Sequence, residues 1–112
     1  MMLVLKNFFL PCFFSLFLLQ PEFSEKKFEL GKKLFFSNCN VCHYGGNNII
    51  IPEKNLKKQT LERNGMNTFE AITYQITNGK NGMPAFGGRL TEKEIEEIAI
   101  YVLEESFTDF KK

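Results

Sequence analysis

The chain has 112 residues, 44% of them hydrophobic and 24% charged, with 14 Lys and Arg against 13 Asp and Glu. This composition describes one small globular domain and excludes a disordered or fibrous chain. The near-neutral balance, with no basic run longer than a lysine pair, gives no surface for tracking nucleic-acid phosphates.

Residues 1–23 differ in kind from the rest. They carry a single lysine, Lys6, no acid before Glu22, and an apolar run from Phe8 to Leu19 that includes Pro11, Cys12 and Ser15. Such a run has the length of a secretory h-region and falls short of the ~20 residues a spanning helix needs. The expectation is a cleavable signal peptide over 1–23 and a functional domain over 24–112. An uncleaved membrane anchor stays open as the alternative, because Gln20-Pro21-Glu22-Phe23-Ser24 offers no small-residue cleavage site. Cys12 has no lipoprotein-type small residues before it and counts as an apolar leader residue.

A first helix is expected from about Ser24, whose hydroxyl can cap the turn that follows. Phe28, Gly31, Leu34, Phe35 and Asn38-Cys39 drift along one face at helical spacing. Gly31 inside that face costs about 1 kcal/mol against Ala. Close approach of another helix would account for it; a tolerated glycine is the other reading.

Next comes Cys39-Asn40-Val41-Cys42-His43, a C-x-x-C-H pentapeptide that reads as a c-type haem attachment site. Thiols three residues apart share one side of a helical turn, where both can form thioethers with the vinyl groups of a protoporphyrin. His43 is then held under the ring with a nitrogen free to become the proximal iron ligand. A structural zinc site would want four N/S ligands, and outside the pentapeptide the chain offers only Cys12 and no second histidine. A thioredoxin-like site would want a βαβ context, and the segments that follow are helical.

Tyr44-Gly45-Gly46-Asn47-Asn48 reads as loop, and Ile49-Ile50-Ile51, stopped by Pro52, as extended chain against the haem edge. A second helix is expected from Glu53 to Asn64, with Lys54, Lys57 and Lys58 as a solvated face that can also pair with a haem propionate. Asn67 and Glu70 read as N-cap and capping-box acid of a third helix carrying Phe69, Ile72 and Ile76 inward. Residues 79–88, with four glycines and Pro84, are loop. The last helix opens with the box Thr91-Glu92-Lys93-Glu94 and shows Ile95, Ile98, Ala99, Val102 and Leu103 on one face. Its charged tail from Glu104 is expected to fray. The predicted fold is all-α, about four helices wrapped around one covalently bound haem, which supplies the apolar bulk that so short a chain lacks.

The sixth iron position separates electron transfer from gas binding or peroxide chemistry. With no second histidine, the candidates beyond the leader are Met66 and Met83. Met66 stands just before a helix cap, as a packing residue would. Met83 stands in a glycine-rich loop able to drape a side chain over the ring, stiffened by Pro84, and is the expected ligand. A thioether favours ferrous iron and raises the potential relative to a second imidazole.

These residues carry a resemblance. Gly31-x-x-x-Phe35-x-x-x-Cys39-x-x-Cys42-His43, then Met83-Pro84, then Ile98-x-x-Tyr101 resemble a class I cytochrome c. Gly45-Gly46-Asn47-Asn48, Leu56-Lys57-Lys58, Gly65-Met66-Asn67 and the run from Glu70 to Leu90 are similar to the cytochrome c6 family, soluble photosynthetic carriers of algae and cyanobacteria. The resemblance implies a fold whose first and last helices cross, with Gly31 and Phe35 meeting Ile98 and Tyr101. It further implies haem attachment outside the cytosol, and transfer of single electrons from the cytochrome b6f complex to photosystem I in the thylakoid lumen of a plastid, a cyanobacterial lumen or periplasm being the alternative. Three departures stand out: Gly82 where the family usually has Ala, Phe107 and Phe110 in a tail without tryptophan, and a leader without Ala-x-Ala.

A haem edge exposed for electron transfer should be ringed by small and apolar residues. Ala85, Phe86 and Gly87, with Val41 and Tyr44 near the thioethers, are the candidates. Arg89 beyond them is, by the same resemblance, the charge that orients the carrier on photosystem I; a structural pairing with Glu92 or Glu94 is the alternative. Two other functions stay open: a same-fold carrier feeding a terminal oxidase or another respiratory partner, or a cytochrome subunit cut from a larger complex; and a small haem peroxidase, for which the sequence offers no distal acid-base group.

Overall fold

In a computed structural model, residues 20–111 are described. Among the described residues five α-helices carry the fold: α1 (Gln20–Asn38), α2 (Asn40–His43), α3 (Lys58–Arg63), α4 (Phe69–Asn78) and α5 (Glu92–Ser106). Single 3-10 turns stand at Tyr44–Gly46 and Pro52–Lys54. Among the described residues there is no strand, only the isolated bridges Lys80 to Met83 and Gly87 to Leu90. The expected leader lies outside the described residues, apart from its last four positions. These belong to α1, which is under way at Gln20 rather than starting at Ser24.

The architecture rests on the crossing of α1 and α5. Gly31 is buried against the last helix: a Cβ there would fall on the Glu97 carbonyl oxygen, 2.9 Å from its carbon and 3.1 Å from Tyr101 Cβ. Around that contact the Tyr101 ring packs between Phe28 and Phe35, with centroids 5.3 and 5.2 Å away. Such aromatic pairs add ~0.5–1.5 kcal/mol each beyond their buried area. Ile98, Ala99 and Val102 continue the buried face of α5 toward Ile72 and Ile76 of α4 and Leu61 of α3.

Three local expectations are corrected. The helix expected over 53–64 is a 3-10 turn and the short α3, separated by extended backbone at Asn55 and Lys57. Two bonds outweigh helical propensity here, one to a remote segment and one local: Leu56 N donates to Gly46 O at 2.7 Å, and Lys57 N to Asn55 Oδ1 at 3.1 Å. The cap of α4 is Thr68, not Asn67. Its hydroxyl accepts from Ala71 N at 3.1 Å, so Glu70 sits one position early for a capping box. The tail does not fray. After α5 the chain turns back through left-handed residues Asp109 and Phe110 (φ 53° and 60°). Asp109 Oδ1 then accepts from the Lys58 N–H at 3.0 Å, capping α3 across 51 residues of sequence, and Phe110 joins the core beside Phe35 and Tyr101. The capping box of α5 is present in both directions, Glu94 N to Thr91 Oγ1 at 3.1 Å and Thr91 N to Glu94 Oε1 at 2.9 Å.

Candidate haem site

The pentapeptide sits where α1 ends. Cys39 N still donates to Phe35 O at 2.8 Å, while His43 N donates to Cys39 O at 2.9 Å, so both thiols and the imidazole lie on consecutive turns of nearly continuous helix. Cys39 and Cys42 are half-buried and free. Burial, and then the neighbouring Cys42, push the Cys39 thiol up to about 12, so it is held protonated.

His43 is buried, and its Nδ1 lies 2.8 Å from the carbonyl oxygen of Asn47. That bond assigns the hydrogen to Nδ1 and leaves the Nε2 lone pair for a metal. Desolvation lowers the histidine pKa, partly offset by the bond to Asn47, which favours the neutral, ligating imidazole. The Asn47 carbonyl is aimed by left-handed glycines at 45 and 46 (φ 64° and 79°). It is held there by Asn47 N to Tyr44 O at 3.2 Å and Ile49 N to Cys42 O at 3.0 Å. Sequence spacing gives the imidazole but not this carbonyl, whose position depends on backbone conformation four residues away.

Cys39, Cys42, His43 and Met83 all line one cavity of about 360 Å³, walled by Phe35, Leu61, Ile72, Ile76, Phe86, Ile98 and Val102. Met83 is half-buried in a closed turn, with Met83 N to Lys80 O at 2.9 Å and Lys80 N to Met83 O at 3.0 Å. Met66 reaches the same cavity, so shared lining does not by itself separate the two sulfurs. Only Met83 has a polar neighbour at its sulfur, Gln75 Nε2 at 3.9 Å. Gln75 was not singled out from sequence, because it looks like any polar position on an amphipathic helix.

The residues fit a haem on their own chemistry: two thiols on one turn, a neutral imidazole with a free Nε2, two thioethers and an apolar enclosure. Val41 and Tyr44 are 81% and 70% exposed, and Ala85 and Gly87 are exposed, as an approach surface requires. Phe86 corrects the expectation. It is buried at 6% because Phe86 N to Ile76 O (2.9 Å) and Gly87 N to Thr77 O (3.0 Å) bind its loop to α4 and turn its ring inward. Ile50, exposed yet lining the cavity, takes a place on the rim instead. The Arg89 guanidinium lies 5.0 Å from the Phe86 centroid, and Glu94 is engaged by its cap. Among the described residues no ion pair joins Arg89 to Glu92 or Glu94.

Helices crossing at a glycine over an apolar cavity, with the pentapeptide at its wall, define a class I cytochrome c fold. Residues 26–102 match the family described as cytochrome C oxidase, cbb3-type, subunit III. Over 78 residues the chain is 63% identical to cytochrome c6 of Bumilleriopsis filiformis, covering 70% of this chain and 91% of that protein. It is 62% identical over 76 residues to cytochrome c6 of Pyropia tenera, covering 68% and 89%. The solved cytochrome c6 of the diatom Phaeodactylum tricornutum superposes with a TM-score of 0.71 at 45% identity, over 73% of this chain and 97% of that one. The chain belongs to the cytochrome c6 family, electron-carrying c-type cytochromes that hold haem.

Proposed function

We propose that this chain holds one haem by thioethers from Cys39 and Cys42, ligates its iron with His43 and Met83, and carries single electrons from the cytochrome b6f complex to photosystem I in the thylakoid lumen. The observation that carries this reading is the single apolar cavity lined by all four of those residues. Cys39 and Cys42, both free thiols, would hold the haem by adding S–H across its vinyl C=C bonds, sulfur to one carbon and hydrogen to the other, which would need no oxidant. Bound haem supplies an iron that cycles between ferrous and ferric.

The chain's own residues then do three things. His43, with Nδ1 donated to Asn47, presents a neutral nitrogen of fixed orientation. Met83, lining the same cavity, would offer a soft sulfur of the kind that ferrous iron favours, on a loop whose backbone bonds hold it in place. The apolar walls keep water from the iron, while Val41, Tyr44, Ala85 and Gly87 let a partner approach. The chain acts as a soluble monomer after loss of residues 1–23, and catalyses no reaction of its own.

A second reading, donation to a terminal oxidase, is favoured by the oxidase-subunit family that residues 26–102 match. The reduced holoprotein should be oxidised by photosystem I after a laser flash, with a rate that rises with carrier concentration, and should support only slow oxidase turnover. The reverse pattern would replace the photosynthetic reading with the respiratory one. The mass of the isolated protein tests the rest: chain from near residue 24 plus one haem that resists acid-acetone extraction.

A further inference from the structure

The C-terminal tail touches the segment that orients His43. A Cβ at Gly46 would lie 2.7 Å from Phe110 Cγ and 3.1 Å from Phe110 Cβ, so the Phe110 ring occupies the space that a side chain at 46 would need. Gly46 is buried, and the next residue supplies the carbonyl 2.8 Å from His43 Nδ1. The Gly46 carbonyl accepts from Leu56 N at 2.7 Å, so this strip of backbone is held on one side by the Leu56 amide and packed on another by Phe110. The tail is itself anchored at Asp109, through the Lys58 N–H at 3.0 Å, and at Phe110, through its N–H to Glu105 O at 2.9 Å.

We propose that Phe110 is a positioning residue for the proximal ligand: by closing on Gly46 it fixes the Asn47 carbonyl against His43 Nδ1, and with it the basicity and orientation of the imidazole. The inference rests on His43 being the proximal ligand. A hydrogen bond from the far nitrogen of a ligating histidine raises its basicity, and a more basic ligand favours ferric iron. Loosening the clasp therefore raises the reduction potential, whereas a tail that only packs the core changes melting temperature and nothing at the iron.

The test uses the holoprotein of Phe110→Ala, the milder Phe110→Leu, Phe110→Tyr, which keeps the ring, and Phe107→Ala, a tail residue that is 71% exposed. Exchange of the His43 Nδ1 hydrogen with solvent is followed by NMR in the reduced state, relative to the Ile98 amide as a reporter of global opening. Phe110→Ala should speed Nδ1 exchange by at least about tenfold over that reference, as local opening does, and shift the potential upward. Phe110→Leu should do so less, and Phe110→Tyr and Phe107→Ala should leave both as in wild type. If Phe110→Ala retains too little fold to measure, the comparison of Phe110→Leu with Phe110→Tyr carries the same decision. Equal exchange ratios and potentials across the series, with only the melting temperature lowered, would overturn the proposal. A wild-type protein whose His43 resonances show no haem-ring shift would instead overturn the ligation reading on which it stands.

Discussion

Gly31→Ala sets two effects of known size against each other. In an isolated helix alanine is better than glycine by about 1 kcal/mol. Here the added methyl meets the backbone carbonyl of Glu97 and Tyr101 Cβ, neither of which can swing aside as a side-chain tip would. α1 and α5 must part, and the Tyr101 contacts with Phe28 and Phe35 loosen with them. Overpacking of this kind costs ~1–3 kcal/mol, and a backbone obstacle places it near the upper end. Net destabilisation should be about 2 kcal/mol, which in a domain of this size lowers the melting temperature by roughly 8–16 °C. The assay is thermal unfolding of the ferric holoprotein by far-ultraviolet circular dichroism, with the Soret band recorded to show that haem remains bound. A melting temperature equal to or above wild type would mean that propensity outweighs the contact, and that the helices do not cross at this glycine.

Met83→Ala should keep the haem attached but lower the potential and open the sixth position to water, whereas Met66→Leu, a volume-conserving swap, should cost under ~1.5 kcal/mol and leave the spectrum alone; the opposite pattern in the two visible spectra would exchange their roles. Burial, and then the charges of Glu105 and Glu29, raise the Tyr101 pKa, so above about pH 10 the unfolded chain loses this proton first and stability falls as pH rises. Tyr101→Phe should flatten that alkaline decline in denaturant titrations at pH 9 to 11, and an unchanged slope would free Tyr101 of the effect. Arg89→Glu should slow electron delivery to photosystem I strongly at low ionic strength, with added salt narrowing the gap as charges are screened; equal flash-kinetic rates for mutant and wild type at low salt would leave Arg89 only its stacking on Phe86.

What the sequence makes legible follows from what is local. The box at Thr91 and Glu94, the apolar face from Ile95 to Leu103 and the C-x-x-C-H turn each depend on residues within a few positions, and each stands where spacing puts it. Gly31 is legible only as an anomaly, a costly residue on an apolar face, until α5 supplies the carbonyl that requires it. Misread segments are those whose partners are remote. The break near Asn55 is set by Gly46, and Asp109 and Phe110 are held by Lys58 and Gly46, contacts of which the charge of the tail gives no sign. A phenylalanine among glycines reads as exposed in sequence, which puts Phe86 on the rim; two backbone bonds to α4 turn it inward.

The loop from Gly79 to Leu90 carries both sides of the proposed function, and its geometry keeps them partly independent. Its inner side gives Met83 and Phe86 to the cavity, while Ala85, Gly87 and Arg89 face outward. Because Phe86 and Gly87 are bonded to Ile76 and Thr77, changes at Ala85 or Arg89 leave those bonds in place, whereas a side chain at Gly87 would meet Thr77 at 3.0 Å. Partner choice can therefore vary while the iron environment stays constant, which is how one fold can serve several electron acceptors. The exception is the Arg89 guanidinium over the Phe86 ring, a contact worth ~0.5–1 kcal/mol at an exposed site. Through that stack Arg89 also braces a wall of the cavity. Arg89→Lys, which keeps the charge but stacks less well, separates the two roles: electron delivery should hold while the melting temperature slips.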